Sequence, residues 1–283
     1  MRKILVPVRG DGKGDNVVAH AAALARRMNY HIQISHCRPR AKDLMPFGVP
    51  VGQTLKDLML KQISDLADQE ELDLREKVSK LCKKLNLKMS DTSNENSTTA
   101  SYVEKSGRQV DVIRHHGRLA SLIAVAQPDR DQNLGSNTLK AALFHTSRPV
   151  LMCPPQENPP EVIGAHIAVA WNGSLEATRA VVMSKTIISQ ADKVTILTAG
   201  VEQNTPSEDE LVEYLTHWGV SAEIEKFEKS KIVAKDLLAK TAEVGADLLV
   251  MGAYGDSHER ETLFGGNTQH IVDHAKMPVI LVH

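Results

Sequence analysis

The most constraining feature of this 283-residue sequence is an internal repeat. Its two halves begin with similar segments and end with similar segments. Residues 4–10 and 167–173 are each a short apolar run that ends in a polar residue and a glycine. Residues 148–152 and 277–282 are each an apolar run with proline in second place. Self-similarity at a long, fixed distance is typical of duplicated structural units. The sequence therefore predicts two tandem copies of one fold.

A proline-rich stretch lies between the two copies. Residues 154–160 contain four prolines. Proline fixes its own φ and lacks an N–H donor, so this stretch suits a stiff, extended linker and not a helix or a central strand. We therefore expect the first domain at residues 1–155, the linker at 156–162 and the second domain at 163–283.

Apolar runs and helical patterns alternate along the second copy. The predicted strands are 166–171, 193–198, 221–227, 247–252 and 278–282, and the predicted helices are 175–189, 207–217, 231–244 and 268–275. Such alternation predicts a parallel sheet with right-handed crossovers. The first copy follows the same plan, with a long charged helix around residues 74–85. We expect an α/β protein in which each domain is a five-stranded parallel sheet with helices on both faces.

The charge and cysteine content exclude several classes of protein. Lys and Arg number 34 against 35 Asp and Glu, so no basic excess indicates a nucleic-acid or anionic-membrane partner. No apolar run is long enough to span a bilayer, and the N-terminal run is too short for a signal peptide. Three cysteines without a C-x-x-C pair argue against a disulfide scaffold or a zinc module. We expect a cytoplasmic protein without a resident metal.

Glycines cluster between the fourth strand and the last helix of the second copy, at Gly252, Gly255, Gly265 and Gly266. The carboxyl end of a parallel strand meets the crevice where open α/β sheets bind ligands. Glycines there let backbone N–H groups approach an anion, and the following helix N-terminus adds partial positive charge. The spacing fits a phosphate-binding loop, and it also fits a plain turn with a helix cap downstream.

This loop resembles that of the universal stress protein family, and the resemblance covers nearly the whole chain as two tandem copies. Nucleotide-binding members carry G-x2-G-x9-G-[ST] here, and Gly252, Gly255 and Gly265 match the glycines with both gaps. The resemblance implies Rossmann-like domains of the adenine nucleotide alpha hydrolase-like kind that bind ATP, with or without Mg²⁺. It implies a stress-response module that acts by binding and conformational signalling and not as an enzyme.

The family's binding positions can be carried over residue by residue. The resemblance places phosphate contacts at Gly252, Gly255, Gly265, Gly266 and Asn267, and base-side contacts at Asn172 and Ala199. Two positions depart from the pattern: Gly266 replaces a hydroxyl residue, and Asn172 replaces an acidic one. A missing hydroxyl removes about 1 kcal/mol of net hydrogen bonding, so we expect weaker binding to an intact backbone cradle.

The first copy departs much further from the family's pattern. Residues 125–129 stand where 251–255 stand in the second copy, and they contain no glycine. Pro128 removes an N–H donor, and Arg9 occupies the acidic position at the end of the first strand. We therefore predict one adenine-nucleotide site per chain and a structural or partner-binding first domain.

The resemblance also implies how the two domains meet. Single-copy members pair through their last strands, so we expect residues 150–152 beside 279–281 as an intramolecular pseudo-dimer, which would cover two sheet edges. A homodimer of the tandem chain is a further arrangement compatible with the sequence.

Two other functions remain compatible with the sequence. One is a weak ATP hydrolase or transferase, although the chain lacks G-x4-G-K-[ST]. The other is a nucleotide-free interaction protein of the same fold, which the substitution at Gly266 favours.

Several side chains carry a second interpretation. His270 and His274 have the spacing of a metal pair without an evident third ligand. Trp171 could lie against the base or belong to the core. Within the loop, Asp256, Glu259 and Glu261 have the chemistry to hold Mg²⁺, and His258 and Arg260 that to contact a phosphate, or all could be solvated.

Overall fold

The computed structural model describes residues 2–9, 13–38, 40, 52–94, 96–130, 132, 134–201, 203–255 and 266–283. The strands are β1 (Lys3–Val8), β2 (His31–Arg38), β3 (Lys88–Met89), β4 (Thr99–Ser106), β5 (Leu122–Ala126), β6 (Val150–Cys153), β7 (His166–Ala170), β8 (Lys193–Thr198), β9 (Ala222–Lys226), β10 (Leu248–Gly252) and β11 (Val279–Val282). The helices are α1 (Lys13–Met28), α2 (Gln53–Lys84), α3 (Gln109–His116), α4 (Ser136–Thr146), α5 (Leu175–Met183), α6 (Lys185–Ile188), α7 (Glu208–Thr216), α8 (Val233–Glu243) and α9 (Gly266–His274).

Within the described ranges, all eleven strands form one sheet in the order β3-β4-β2-β1-β5-β6-β11-β10-β7-β8-β9. We call the part up to β6 the first domain and the part from β7 the second domain. Neighbouring strands are parallel inside each domain. Successive residues of β1 face opposite sides of the sheet, with Ile4 and Val6 in one core and Leu5 in the other. The predicted α/β class and tandem arrangement are confirmed.

The antiparallel contact between β6 and β11 joins the two domains. Ile280 pairs with Leu151 at its centre, and Val279 and Leu281 pair with Met152 and Val150. These side chains are buried, so each domain covers what would otherwise be an open sheet edge of the other. The expected placement of residues 150–152 beside 279–281 is confirmed.

Some elements differ from the prediction. In the described part of the chain, the first domain has a sixth strand, β3, whose two residues are exposed and carry no alternating pattern. The helix predicted at 175–189 is divided at buried Ser184 into α5 and α6. The long charged helix predicted around residues 74–85 begins much earlier, since α2 starts at Gln53 and ends at Lys84. None of the described helices is both long and apolar enough to cross a membrane.

Candidate functional site

A cavity of about 890 Å³ lies at the carboxyl ends of β7, β8 and β10. We call it the second-domain cavity. Its apolar wall includes Ala170, Leu197, Ala199, Phe227 and Met251, and its polar wall includes Asn172, Thr178, Asn204, Thr205, Tyr254 and Asn267. The charged residues among the described lining are Glu176 and Lys229. Both its volume and its mainly apolar wall with a few polar groups are typical of small-molecule sites.

Most of the predicted site residues come together at this cavity. Asn172, Ala199, Gly252, Gly255 and Asn267 all line it, although they are distant in sequence. Gly266 is the first residue of α9 and directly precedes Asn267. Gly265 lies outside the described residues, as do the loop side chains Asp256, His258, Glu259, Arg260 and Glu261.

The turn after β7 is fixed by side-chain hydrogen bonds. The Ser174 hydroxyl donates to Asn172 Oδ1 over 2.8 Å, and Ser174 Oγ accepts the N–H of Ala177 to cap α5. Gly173 has a φ of +78°, and a Cβ there would collide with Thr205. Asn172 therefore organises the start of α5, a task that an aspartate could also perform.

Two of the loop glycines, Gly252 and Gly255, differ in how closely their neighbours pack against them. A Cβ on Gly252 would lie 2.5 Å from the carbonyl carbon of Glu176, so the first turn of α5 packs directly on this residue. Among the described residues, a Cβ on Gly255 would meet only the carboxyl group of Glu176, with Oε2 at 3.3 Å and Cδ at 3.7 Å, which is the end of a flexible side chain. Close packing therefore requires glycine at position 252, whereas the described surroundings of position 255 leave room for a side chain.

Asn267 and Thr268 tie the start of α9 to its neighbours. Asn267 Oδ1 accepts the N–H of Ala234 in the first turn of α8 over 3.3 Å. Thr268 Oγ1 accepts the N–H of Tyr254 over 3.3 Å. The Thr268 hydroxyl, two residues after Gly266, thus holds the chain after β10.

Two aromatic side chains support the cavity. Trp171 is 5% exposed, and its indole N–H donates to the carbonyl of Pro206 over 3.2 Å, which makes it a core residue. Burial and the nearby Asp273 carboxylate raise the pKa of the Tyr254 phenol, so this wall residue stays uncharged at neutral pH. Neither side chain adds charge to the site.

Two charged residues of the lining, Glu176 and Lys229, are not among the site residues predicted from the sequence. Glu176 is in the first turn of α5, and Lys229 follows the end of β9. Both stand beyond the carboxyl end of a parallel strand, where ligand-contacting residues of open α/β sheets are found. Applying that rule to the first and third strands of the second domain would have identified them.

The corresponding place in the first domain holds a much smaller crevice, and a separate opening of about 600 Å³ lies nearby, lined by Lys13, Ala126, Asp129 and Cys153 among others. Ile4 pairs with Leu122 as Ile167 pairs with Leu248, so the central strands of the two domains share one register. Counting outward from that register, Arg9 corresponds to Asn172, Lys13 to Glu176, Ala126 to Gly252 and Asp129 to Gly255. The crevice around Arg9 and Lys13 has a volume of about 50 Å³. We call it the first-domain crevice.

Long side chains occupy this first-domain crevice. Arg9 Nε donates to Gln109 Oε1, and Arg9 Nη2 donates to Thr138 Oγ1 over 3.3 Å. Lys13 Nζ lies 2.8 Å from Asp129 Oδ2. Among the described residues, these side chains take part of the volume that is open in the second domain.

The histidine pair on α9 has local partners. The rings of His270 and His274 stack at 4.1 Å, and His274 Nδ1 donates to the His270 carbonyl over 2.9 Å. Asp273, between them, pairs with Arg130 of the first domain at 2.6 Å. In the described part of the chain, no three His, Cys, Asp or Glu side chains form a group that could hold a metal ion.

Comparison with known proteins gives a family and a fold. Residues 165–283 match the model of the universal stress protein family. No curated protein matches the chain by sequence.

Three solved structures are similar over nearly the full chain. A universal stress protein from Archaeoglobus fulgidus DSM 4304 is 15% identical, covers 99% of this chain and 97% of its own, and gives a TM-score of 0.69. A putative universal stress protein from Pseudomonas aeruginosa UCBPP-PA14 is 17% identical, covers 100% and 93%, and gives 0.52. A protein of unknown function from Pseudomonas aeruginosa PAO1 is 16% identical, covers 100% and 92%, and gives 0.51. At these identities the likeness shows a common fold.

Proposed function

Because residues 165–283 match the model of the universal stress protein family, we propose that the second domain binds an adenine nucleotide in the second-domain cavity. The observation that carries the proposal is the open volume of about 890 Å³ at the carboxyl ends of the strands. Ligands of open α/β sheets bind at this edge, and a volume of this size accommodates a nucleotide. ATP is the ligand that the family resemblance implies.

The two walls of the cavity suit the two ends of a nucleotide. Ala199, Leu197 and Met251 offer an apolar surface of the kind on which a purine ring packs. On the other side, Gly255 leaves its backbone without a Cβ, and the N-terminus of α9 adds partial positive charge. We assign the base to the first wall and the phosphate end to the second.

Helix α9 supports a signalling role, because it connects the cavity to the first domain. Its first residues lie at the cavity, whereas the carbonyl of Val272 accepts a hydrogen bond from Gln127 Nε2 over 2.7 Å. Asp273 of the same helix pairs with Arg130. A ligand that shifts the position of α9 would therefore change contacts between the domains, and we propose that the protein acts in this way.

Acid extraction tests whether a nucleotide is bound. Purified full-length protein is denatured with acid, and the supernatant is analysed for ATP, ADP and AMP. We expect an adenine nucleotide in the extract or, if it is lost in purification, a rise in melting temperature when millimolar nucleotide is added back. An empty extract together with an unchanged melting temperature would favour the nucleotide-free interaction protein.

Gly255→Val tests the location of the site. The valine methyls would occupy the proposed phosphate path while meeting, within the described part of the chain, only the carboxyl end of Glu176, so we expect a folded protein without a nucleotide-dependent rise in melting temperature. Gly52→Val is the matched control, since a Cβ there meets no described atom within 4 Å. A full response to nucleotide in the Gly255 variant would place the ligand elsewhere.

Incubation with labelled ATP tests the choice of binding over catalysis. We expect turnover far below the roughly 1 s⁻¹ at the lower end of typical enzymes. Turnover in that range would instead assign the hydrolase function.

A further inference from the structure

A carboxylate stands in the wall of the second-domain cavity, where the phosphate end of a nucleotide is proposed to lie. Glu176 is the second residue of α5, and its side chain is 12% exposed. Its Oε2 atom lies 3.3 Å from the place that a Cβ on Gly255 would take. A phosphate group held by the backbone at Gly255 would therefore be a direct neighbour of this carboxylate.

Among the described residues, the cations near Glu176 do not neutralise it closely. Arg179 Nη1 is 3.7 Å from Glu176 Oε1, and the Arg179 side chain is 53% exposed. Lys229, the other charged residue of the described lining, is exposed as well. Solvated, loosely paired cations contribute little attraction. Within the described lining, Glu176 therefore gives this part of the cavity a negative potential.

The first domain holds charges of the opposite arrangement at the same two positions. Lys13 corresponds to Glu176 and Asp129 to Gly255, and Lys13 Nζ lies 2.8 Å from Asp129 Oδ2. In the first domain the Lys13 ammonium group therefore faces the Asp129 carboxylate. In the second domain the Glu176 carboxylate faces Gly255, which has no side chain. An anionic ligand group beside Gly255 would therefore lie next to a charge of its own sign.

Hydrogen-bond chemistry leads to the same conclusion. An ionised carboxylate only accepts hydrogen bonds, and so do the oxygens of an ionised phosphate chain. The hydroxyls of a ribose, in contrast, donate to a carboxylate. Repulsion between like charges is also stronger in a partly enclosed site than in water. Glu176 is suited to a sugar and unsuited to a polyphosphate.

We propose that Glu176 makes the second-domain cavity select adenine ligands of low negative charge, adenosine or adenosine monophosphate, over metal-free ATP. This inference rests on the proposed function, since it concerns the ligand of the same cavity. It deepens that function by naming the residue that sets the preference.

Titration calorimetry of the full-length chain in EDTA tests the proposal. We expect wild-type protein to bind adenosine at least about tenfold more tightly than ATP, which corresponds to about 1.4 kcal/mol. In Glu176→Gln, which keeps the shape of the side chain, the affinity for ATP should rise about tenfold while that for adenosine changes less than about threefold. Glu176→Lys, which copies the residue of the first domain, should raise the affinity for ATP further.

Glu213→Gln is the matched control, because it makes the same change of net charge on an exposed face of α7. It should leave both affinities unchanged. The proposal is overturned if wild-type protein binds ATP as tightly as adenosine, or if both Glu176 variants change the two affinities equally. Absence of binding by every adenine ligand would overturn the proposed function itself, an outcome that the adenosine titration identifies separately.

Discussion

The central strands of the two domains pair in the same register, yet the second domain has an open cavity of about 890 Å³ where the first has a crevice of about 50 Å³, with a separate opening of about 600 Å³ near Cys153 and Pro155. The pairing of the central strands does not account for this difference. Among the described residues, the side chains at the strand ends do. Arg9 reaches across the first-domain crevice to Gln109 and Thr138, whereas Asn172 in the equivalent place bonds only within its own turn.

This comparison shows how a duplicated fold can lose a site without losing its architecture. The cores and the shared sheet need the buried apolar residues of the strands, which both domains retain. The strand ends are free to vary, because side chains there contact the crevice and not the core. A few substitutions at these ends therefore separate the small crevice of the first domain from the open cavity of the second.

The largest expected effect on the free energy of unfolding comes from adding one methyl group at the end of β10. Gly252→Ala should lower the free energy of unfolding by about 1–3 kcal/mol, because the Cβ would overlap the backbone of α5 at Glu176. Urea unfolding provides the measurement. Gly266→Ala adds the same methyl group where no atom of the described residues lies within 4 Å, and it should leave stability nearly unchanged. Equal stability of the two variants would show that α5 does not pack on β10 as described.

A smaller effect is expected at Arg9, the residue that spans the first-domain crevice. Arg9→Ala should cost about 1 kcal/mol, as it removes partly exposed hydrogen bonds. It should not create a second nucleotide site, because the Lys13–Asp129 ion pair and Pro128 remain. Calorimetry should give one ligand per chain in both wild type and variant. A stoichiometry of two in wild type would contradict the distinction between the domains.

The smallest expected effect is a pH dependence that belongs to the first domain. Burial lowers the pKa of His20, a shift that hydrogen bonds to Asn16 and Gln156 partly offset, and burial also lowers the pKa of His31. Each ring therefore resists a proton that the unfolded chain accepts near its ordinary pKa of 6.5. Their contribution to stability is complete above pH 6.5 and is lost as the pH falls through the lower pKa values of the folded state.

Urea midpoints measured from pH 7.5 to 5 test this dependence. His20→Gln should reduce the acid-induced loss, whereas the exposed His217→Gln should leave it unchanged. Hydrogen exchange at low pH should report opening in the first domain before the second. Acid loss of equal size in wild type and the His20 variant would exclude His20 as a source.

The order of elements in the second domain was predictable because its apolar runs have clear lengths and boundaries. The strand at 193–198 agrees with β8, and the helix at 207–217 differs from α7 by one residue at each end. β3 was not predictable, since two exposed residues at a sheet edge leave no pattern in the sequence. The position of Ser184 inside a continuous helical pattern likewise concealed the division of α5 from α6.

The candidate site was predictable in its location and less so in its chemistry. The glycine spacing placed Gly255, and the family resemblance placed Asn172 and Ala199, at one cavity, where they are found. Spacing alone does not reveal why a glycine is present, and Gly252 proved to be required by helix packing. Nor does spacing reveal that Glu176 lies against Gly255, because that contact depends on how α5 crosses β10.

The antiparallel contact of β6 with β11 has a directional consequence. Strands within each domain are parallel, so reversing direction at that contact puts the carboxyl ends of the two sets at opposite margins of the common sheet. The second-domain cavity and the first-domain crevice therefore open away from each other. A macromolecule that binds the sheet margin at the first-domain crevice would leave the second-domain cavity unobstructed. A small ligand could then enter or leave the cavity while that complex stays assembled.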